Sequence, residues 1–246
     1  MLLLGVWIMP NLAELSTFLQ TILETEYFPS EERGTIYISS VRPIRRMGFA
    51  LDPWPTLPSW LEHEDLDAIF LHRPQQLDRD TVPPTRGVLY AGAPFDERLT
   101  IGFVPRMAEV LGLRGRSPMA DKSGRPLGMV GDLPKPVTTA EWRRLVMDMY
   151  GGVDEVWENN VQSIRKVAIV NQITPTLVQE AANRGAQAFL TPILRESAQA
   201  SCRANNMAAF STGIKRAEHW GLRTLAGMIR ERWAGVRTAI FEDRGQ

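Results

Sequence analysis

The chain has 246 residues, 44% of them hydrophobic, and its 28 Lys and Arg balance its 28 Asp and Glu. That length and composition build an ample core, exclude disorder and fibre, and suit one large or two small domains. Zero formal net charge removes the electrostatic case for nucleic-acid or membrane-surface binding, which rests on excess Lys and Arg neutralising phosphates. The charge is uneven along the chain: residues 1–163 carry 16 basic and 22 acidic side chains, whereas residues 164–246 carry 12 and 6. Of the 28 basic residues 24 are Arg, which reads as codon bias rather than phosphate recognition. Cys202 is the only cysteine, so no intrachain disulfide or thiolate zinc site can form, and a reducing, cytoplasmic location is the expectation.

The apolar opening run, residues 1–10, lacks a basic flank and a small-residue cleavage signal, and reads as neither signal peptide nor membrane span. Asn11 is placed to cap a helix whose apolar positions Leu12, Leu15, Phe18, Leu19 and Ile22 recur at helical spacing. Short β-rich runs follow at residues 35–39, 47–51, 68–71 and 88–91, bounded by Gly, Pro or Asp. A helix is expected over 101–111, with Pro105 in its first turn. Residues 114–136 are rich in Gly, Pro and Ser and hold one strand-like piece, 127–130; they read as the connection between two lobes.

The second half repeats the alternation. Helices are expected over 139–149, 175–184, 195–205 and 216–233, and strands over 167–170, 188–190, 207–210 and 236–241. Alternating strands and helices argue the α/β class. The halves also align without a gap at an offset of 119 residues, Phe49 falling on Ala168 and Phe70 on Phe189. Internal duplication and convergence on a common strand–helix–strand unit both account for this. On that alignment His72 and Thr191 occupy equivalent strand ends, where α/β sheets hold their ligands.

No Gly-rich phosphate loop occurs: Gly112-Leu-Arg-Gly-Arg116 lacks the spacing and the Lys-Ser/Thr of a P-loop. No Gly-x-Ser-x-Gly elbow occurs either, and Cys202, among Ala and Arg on an expected helix, reads as a structural thiol. Three histidines are present. His63 lies in an acidic polar stretch and reads as a solvated helix face, and His219 reads as a surface residue. His72 differs, because it ends the apolar strand 68–71 and precedes Arg73-Pro74; it suits a ligand, a base or a hydrogen-bonded histidine. Asp96 follows another apolar strand and suits a helix cap or a ligand. Glu218 comes shortly after the strand 207–210. One imidazole and two carboxylates at strand ends suit a divalent metal such as zinc, manganese or iron.

The chain resembles the NGG-one-interacting-factor-three (Nif-three-like) family, also called domain of unknown function thirty-four and often labelled GTP cyclohydrolase I type 2. The resemblance runs from Asn11 to about Phe241, and its most specific stretch is Leu127-Gly-Met-Val-Gly-Asp-Leu-Pro-Lys-Pro-Val-Thr-Thr-Ala-Glu141. It implies a two-lobed α/β fold with mixed sheets flanked by helices, the lobes falling at 1–125 and 126–246 around a metal cleft. It also implies a toroidal homo-hexamer with two metal ions per subunit, held by His-His-Pro, His-Thr-x-x-Asp and Gly-His-x-x-x-Glu motifs. Here these read His72-Arg73-Pro74, Gly92-Ala93-Pro94-Phe95-Asp96 and Gly213-Ile214-Lys215-Arg216-Ala217-Glu218. Each motif has lost one His. His72, Asp96 and Glu218 therefore supply one ion at most, or none, and Arg73 is expected either to neutralise Asp96 or Glu218 by a bidentate pair or to point into solvent. The resulting expectation is a partly lost dinuclear centre in a non-catalytic or weakly active oligomeric binding protein. The alternative is a single-ion metal-dependent hydrolase, of GTP cyclohydrolase or phosphoesterase type, whose small-molecule substrate and catalytic residues the sequence does not name. Neither nucleic acid nor a membrane is expected as a partner.

Overall fold

The computed structural model describes residues 9–242, so most of the apolar run 1–10 lies outside the described residues. In chain order the elements are α1 (Leu12–Ile22), β1 (Thr35–Ile38), β2 (Arg46–Ala50), α2 (Leu57–His63), β3 (Ala68–Leu71), β4 (Gly87–Tyr90), a short α3 (Ala93–Phe95) and α4 (Pro105–Val110). There follow β5 (Arg114–Lys122), β6 (Arg125–Val137), α5 (Thr139–Tyr150), β7 (Glu155–Trp157), β8 (Ile164–Val170), α6 (Pro175–Asn183), β9 (Ala188–Thr191), α7 (Gln199–Ala204), β10 (Ala208–Ser211), α8 (Ile214–Arg232) and β11 (Arg237–Ile240). No helix among the described residues is long and apolar enough to cross a membrane.

Two compact units emerge among the described residues, 9–95 with 221–242, and 96–220. In the first, the sheet order is β1-β4-β3-β2-β11, with β4, β3, β2 and β11 parallel and β1 antiparallel at the edge. Asn11 caps α1 as expected: its side chain accepts from the Glu14 N–H while the Glu14 carboxylate accepts from the Asn11 N–H, which satisfies two donors at the helix start. Trp54 stacks on Phe241 with ring centroids 3.6 Å apart, closing the edge of the core that holds Leu57, Leu61, Ile69, Leu71 and Val88.

The second unit carries the order β5-β6-β8-β9-β10-β7, parallel only through β8, β9 and β10. Its central strands are apolar on both faces: Val167, Ile169, Leu190 and Phe210 enter one core, while Ala168, Val170, Phe189 and Ala209 enter the other. That is the pattern of strands covered by helices on each side.

The stretch 114–136 is not a linker. It is the β5/β6 hairpin, in register from Arg114 against Asp132 to Lys122 against Arg125. The hairpin runs across residue 125, and the compact units divide at 95/96 and 220/221. Glycine and proline masked the strands because β5 is an edge, where Pro118 can forgo one row of hydrogen bonds, and because Pro134 and Pro136 sit in the irregular stretch between Asp132 and Val137. Pro105 opens its helix rather than sitting within it.

The sequence offset of 119 is also corrected. In the first unit Asp67 Oδ2 accepts the N–H groups of Arg45 and Arg46 at 2.7 and 2.9 Å, and in the second Gln187 Oε1 accepts those of Arg165 and Lys166 at 2.9 and 2.8 Å. Both strand–helix–strand turns are tied the same way at an offset of 187 − 67 = 120. Thr191 thus matches Leu71, and His72 matches Pro192, one position beyond each strand end.

Candidate metal centre

His72 follows β3 directly and is 2% exposed. Its backbone N–H continues the sheet, donating to the Ala50 carbonyl at 3.1 Å. Its Nδ1 lies 2.8 Å from the Ala91 carbonyl oxygen. A carbonyl only accepts, so Nδ1 carries a proton, which makes Nε2 the ring nitrogen that could ligate a metal. The Phe95 ring, 4.7 Å away between centroids, holds the imidazole plane from one side.

Asp96 does not cap a helix. It opens a single π-helical turn, Asp96–Thr100, after α3, and its carbonyl accepts from the Thr100 hydroxyl at 2.6 Å. Such turns recur at functional sites because they displace one residue from the helical face. The turn is anchored by the next residue: Glu97 takes Arg125 Nε at 2.9 Å and Lys122 Nζ at 3.4 Å, and the Glu97 and Arg125 side chains are 5% and 4% exposed.

Glu218 lies in the second turn of α8 and is 6% exposed. Gly213, just before that helix, has φ +82° and stands so close to the Asp154 carboxylate that a Cβ would collide with it. Only glycine turns the chain there. Arg216 pairs with the same Asp154 carboxylate and ties the first turn of α8 to the stretch before β7.

One ligand atom each from His72, Asp96 and Glu218 lies within 4.8 Å of the other two. The donor set, one imidazole and two carboxylates, suits a divalent cation of zinc or manganese type. These are the three residues that sequence reasoning singled out as candidate ligands. It missed their setting: the Ala91 carbonyl that anchors Nδ1 of His72, and Asp52. Arg73 forks onto Asp52 with Nε to Oδ1 at 2.7 Å and Nη2 to Oδ2 at 2.9 Å, a partner the expectations did not name. The signal was available, because Asp52 follows β2 and Arg73 follows β3, and those strands are parallel neighbours.

His63 closes α2 and is exposed. Cys202 is fully buried on α7, and burial pushes its thiol up to about 11. The fold keeps this thiol neutral, so its contribution to stability is complete below about pH 9 and is lost as pH rises toward 11. Iodoacetamide is expected to label native protein at pH 8 at least about a hundredfold more slowly than protein in guanidinium chloride, from thiolate fraction alone. Equal rates would show an accessible thiol.

Comparison with known proteins follows the same stretch. Residues 88–244 match the family described as Duf34/NIF3 (NGG1p interacting factor 3). A curated protein of Halobacterium salinarum, named GTP cyclohydrolase 1 type 2 homolog, is 28% identical over 157 residues, which is 62% of this chain and 61% of the relative. One of the same name from Pseudomonas aeruginosa is 25% identical over 141 residues, 57% of this chain and 56% of the relative. The match thus spans less than two thirds of either relative's length. Among solved structures, one described as protein ybgI, of unknown function, covers 94% of this chain and 98% of its own at a TM-score of 0.73 and 16% identity, a likeness of fold alone.

Proposed function

This chain belongs to the Duf34/NIF3 family, and from that premise we propose that it is a homo-oligomeric metal-binding member retaining one ion site, non-catalytic or weakly active. The observation that carries the reading is the convergence of His72, Asp96 and Glu218 within 4.8 Å. Two carboxylates and an imidazole whose ligand atoms come this close form a donor set that one divalent cation could share. When bound, such an ion supplies Lewis acidity to a substrate oxygen. The protein's own part is to anchor Nδ1 of His72 on the Ala91 carbonyl, which leaves Nε2 to a ligand, and to present Asp96 from a π turn.

A second ion lacks ligands. The motif positions where the family resemblance expects histidine carry Arg73, Gly92 and Ile214; Arg73 is engaged by Asp52, and Ile214 is 53% exposed. Elemental analysis of protein purified without chelator is expected to find one zinc, manganese or iron per chain at most, and light scattering on the same sample a closed oligomer, a hexamer by the resemblance. Two ions per chain, or a stable monomer at micromolar concentration, would overturn the corresponding half of the proposal.

A single-ion hydrolase is the second reading, favoured by the name GTP cyclohydrolase 1 type 2 homolog that both curated relatives carry. Metal-dependent turnover of GTP or of a phosphoester, lost in Glu218→Gln, would select it. No turnover with the ion bound selects the binding role.

A further inference from the structure

We infer that the first unit carries a second, unrelated ligand site: an anion pocket for a compact phosphate-bearing small molecule, at the sheet edge opposite to His72. A cavity of about 350 Å³ lies there, lined chiefly by Arg42, Arg45, Arg46, Arg237, Asp65 and Asp67. Arg46 opens β2, Arg237 opens β11 beside it in register, and Asp67 immediately precedes β3. These strands are parallel, so the pocket gathers their amino-terminal ends while His72 follows a carboxy-terminal one.

The organising residue is Asp67, whose side chain is 4% exposed. Its Oδ2 accepts the backbone N–H groups of Arg45 and Arg46, and its Oδ1 takes Arg42 Nε at 2.6 Å. Arg86 Nη1 approaches the same oxygen at 3.9 Å. At the matching turn of the second unit, the backbone role is filled by the neutral amide of Gln187. The turn itself therefore does not require a charge. The charge at position 67 serves to align arginines, fixing guanidinium groups around the cavity before any ligand arrives.

Those arginines are not saturated. Four line the cavity against two aspartates. Arg86 stands behind them with a side chain only 11% exposed, and its Nε and Nη1 are buried without a hydrogen-bond partner. Arg45 and Arg237 are exposed, and no carboxylate lies within ion-pair distance of either among the described residues. Guanidinium forks match phosphate oxygens bidentately, and several pre-aligned forks favour a compact polyanion over a single negative charge. No aromatic side chain lines the cavity, so recognition is of charge rather than of a stacked base. The volume falls at the small end of the range for small-molecule sites. Net charge gives no support for an extended nucleic-acid track, since the whole chain is balanced.

Titration calorimetry of the full, chelator-treated chain with inorganic diphosphate at low ionic strength tests this. One diphosphate per chain is expected to bind. Arg45→Gln and Arg237→Gln, separately, should each weaken binding about tenfold while leaving the thermal midpoint unchanged, since both side chains are exposed. His72→Ala should leave the affinity unaltered, which separates this pocket from the metal centre. Raising the salt to about 0.5 M should weaken binding by screening. No binding at about 10 mM diphosphate, affinity unchanged by both arginine variants, or loss on His72→Ala instead, would overturn the assignment. Tighter binding of a single-stranded oligonucleotide, lost in the same arginine variants, would overturn the small-molecule class.

Discussion

Glu218→Gln is expected to lower the affinity for zinc or manganese by at least about a hundredfold, because it removes one of only two anionic ligands while keeping the side chain's shape. The effect is large because the site is short of ligands from the start: without Glu218, one carboxylate and one imidazole face a doubly charged ion. The second readout separates ligation from architecture. In EDTA, the variant should unfold at about the same temperature as wild type, since the amide keeps the side chain's shape and hydrogen-bonding reach. A purely structural Glu218 would instead lower stability with and without metal, its buried carboxylate being lost from whatever network it completes. His72→Ala should reduce metal affinity comparably, and it leaves the Ala91 carbonyl without its Nδ1 donor. Metal binding should fall as pH is lowered, because the imidazole and both carboxylates must be deprotonated to act as ligands. Calorimetry with zinc against apo protein reads all of these, and a Glu218→Gln variant that binds zinc as wild type does would remove Glu218 from the site.

Much of this candidate centre was legible in the sequence. His72 stood at the end of an apolar run of four, and apolar strands buried on both faces, here Ala68–Leu71, announce themselves without alternation. Asp96 and Glu218 were legible by the same logic of strand ends. What escaped the reading were features decided by partners distant in sequence. The β5/β6 hairpin looked like a loop because edge strands tolerate the glycine and proline that usually end strands. The Asp52 fork on Arg73 depends on β2 and β3 being adjacent, which no local window contains. The repeat offset was one residue out because apolar strands slide past each other in sequence comparison with little penalty. Only the hydrogen bonds of Asp67 and Gln187 pin the register.

Restoring imidazoles at the altered motif positions is expected to raise metal content from one ion per chain at most toward two. Gly92→His is the first change, because a Cβ at Gly92 meets no atom within 4 Å, so a side chain can leave the backbone there without collision. Ile214→His is the second. Ile214 begins α8, and 218 − 214 = 4 places it on the same helical face as Glu218, one turn earlier. It is 53% exposed, so its replacement sacrifices little buried apolar area. Arg73→His completes the set, and among its costs is the fork with Asp52, an exposed pair worth about 1 kcal/mol or less. Each added imidazole offers a neutral ligand to an ion already attracted by Asp96 and Glu218, so the gain should come in stoichiometry before it comes in tightness. The triple variant should therefore show a second, weaker zinc event in calorimetry and nearly twice the metal in elemental analysis, with a thermal midpoint close to wild type in EDTA. If the metal content stays at the wild-type value while the variant remains folded, the second position has been lost through more than its three histidines, and the chain is committed to single-ion or metal-free binding.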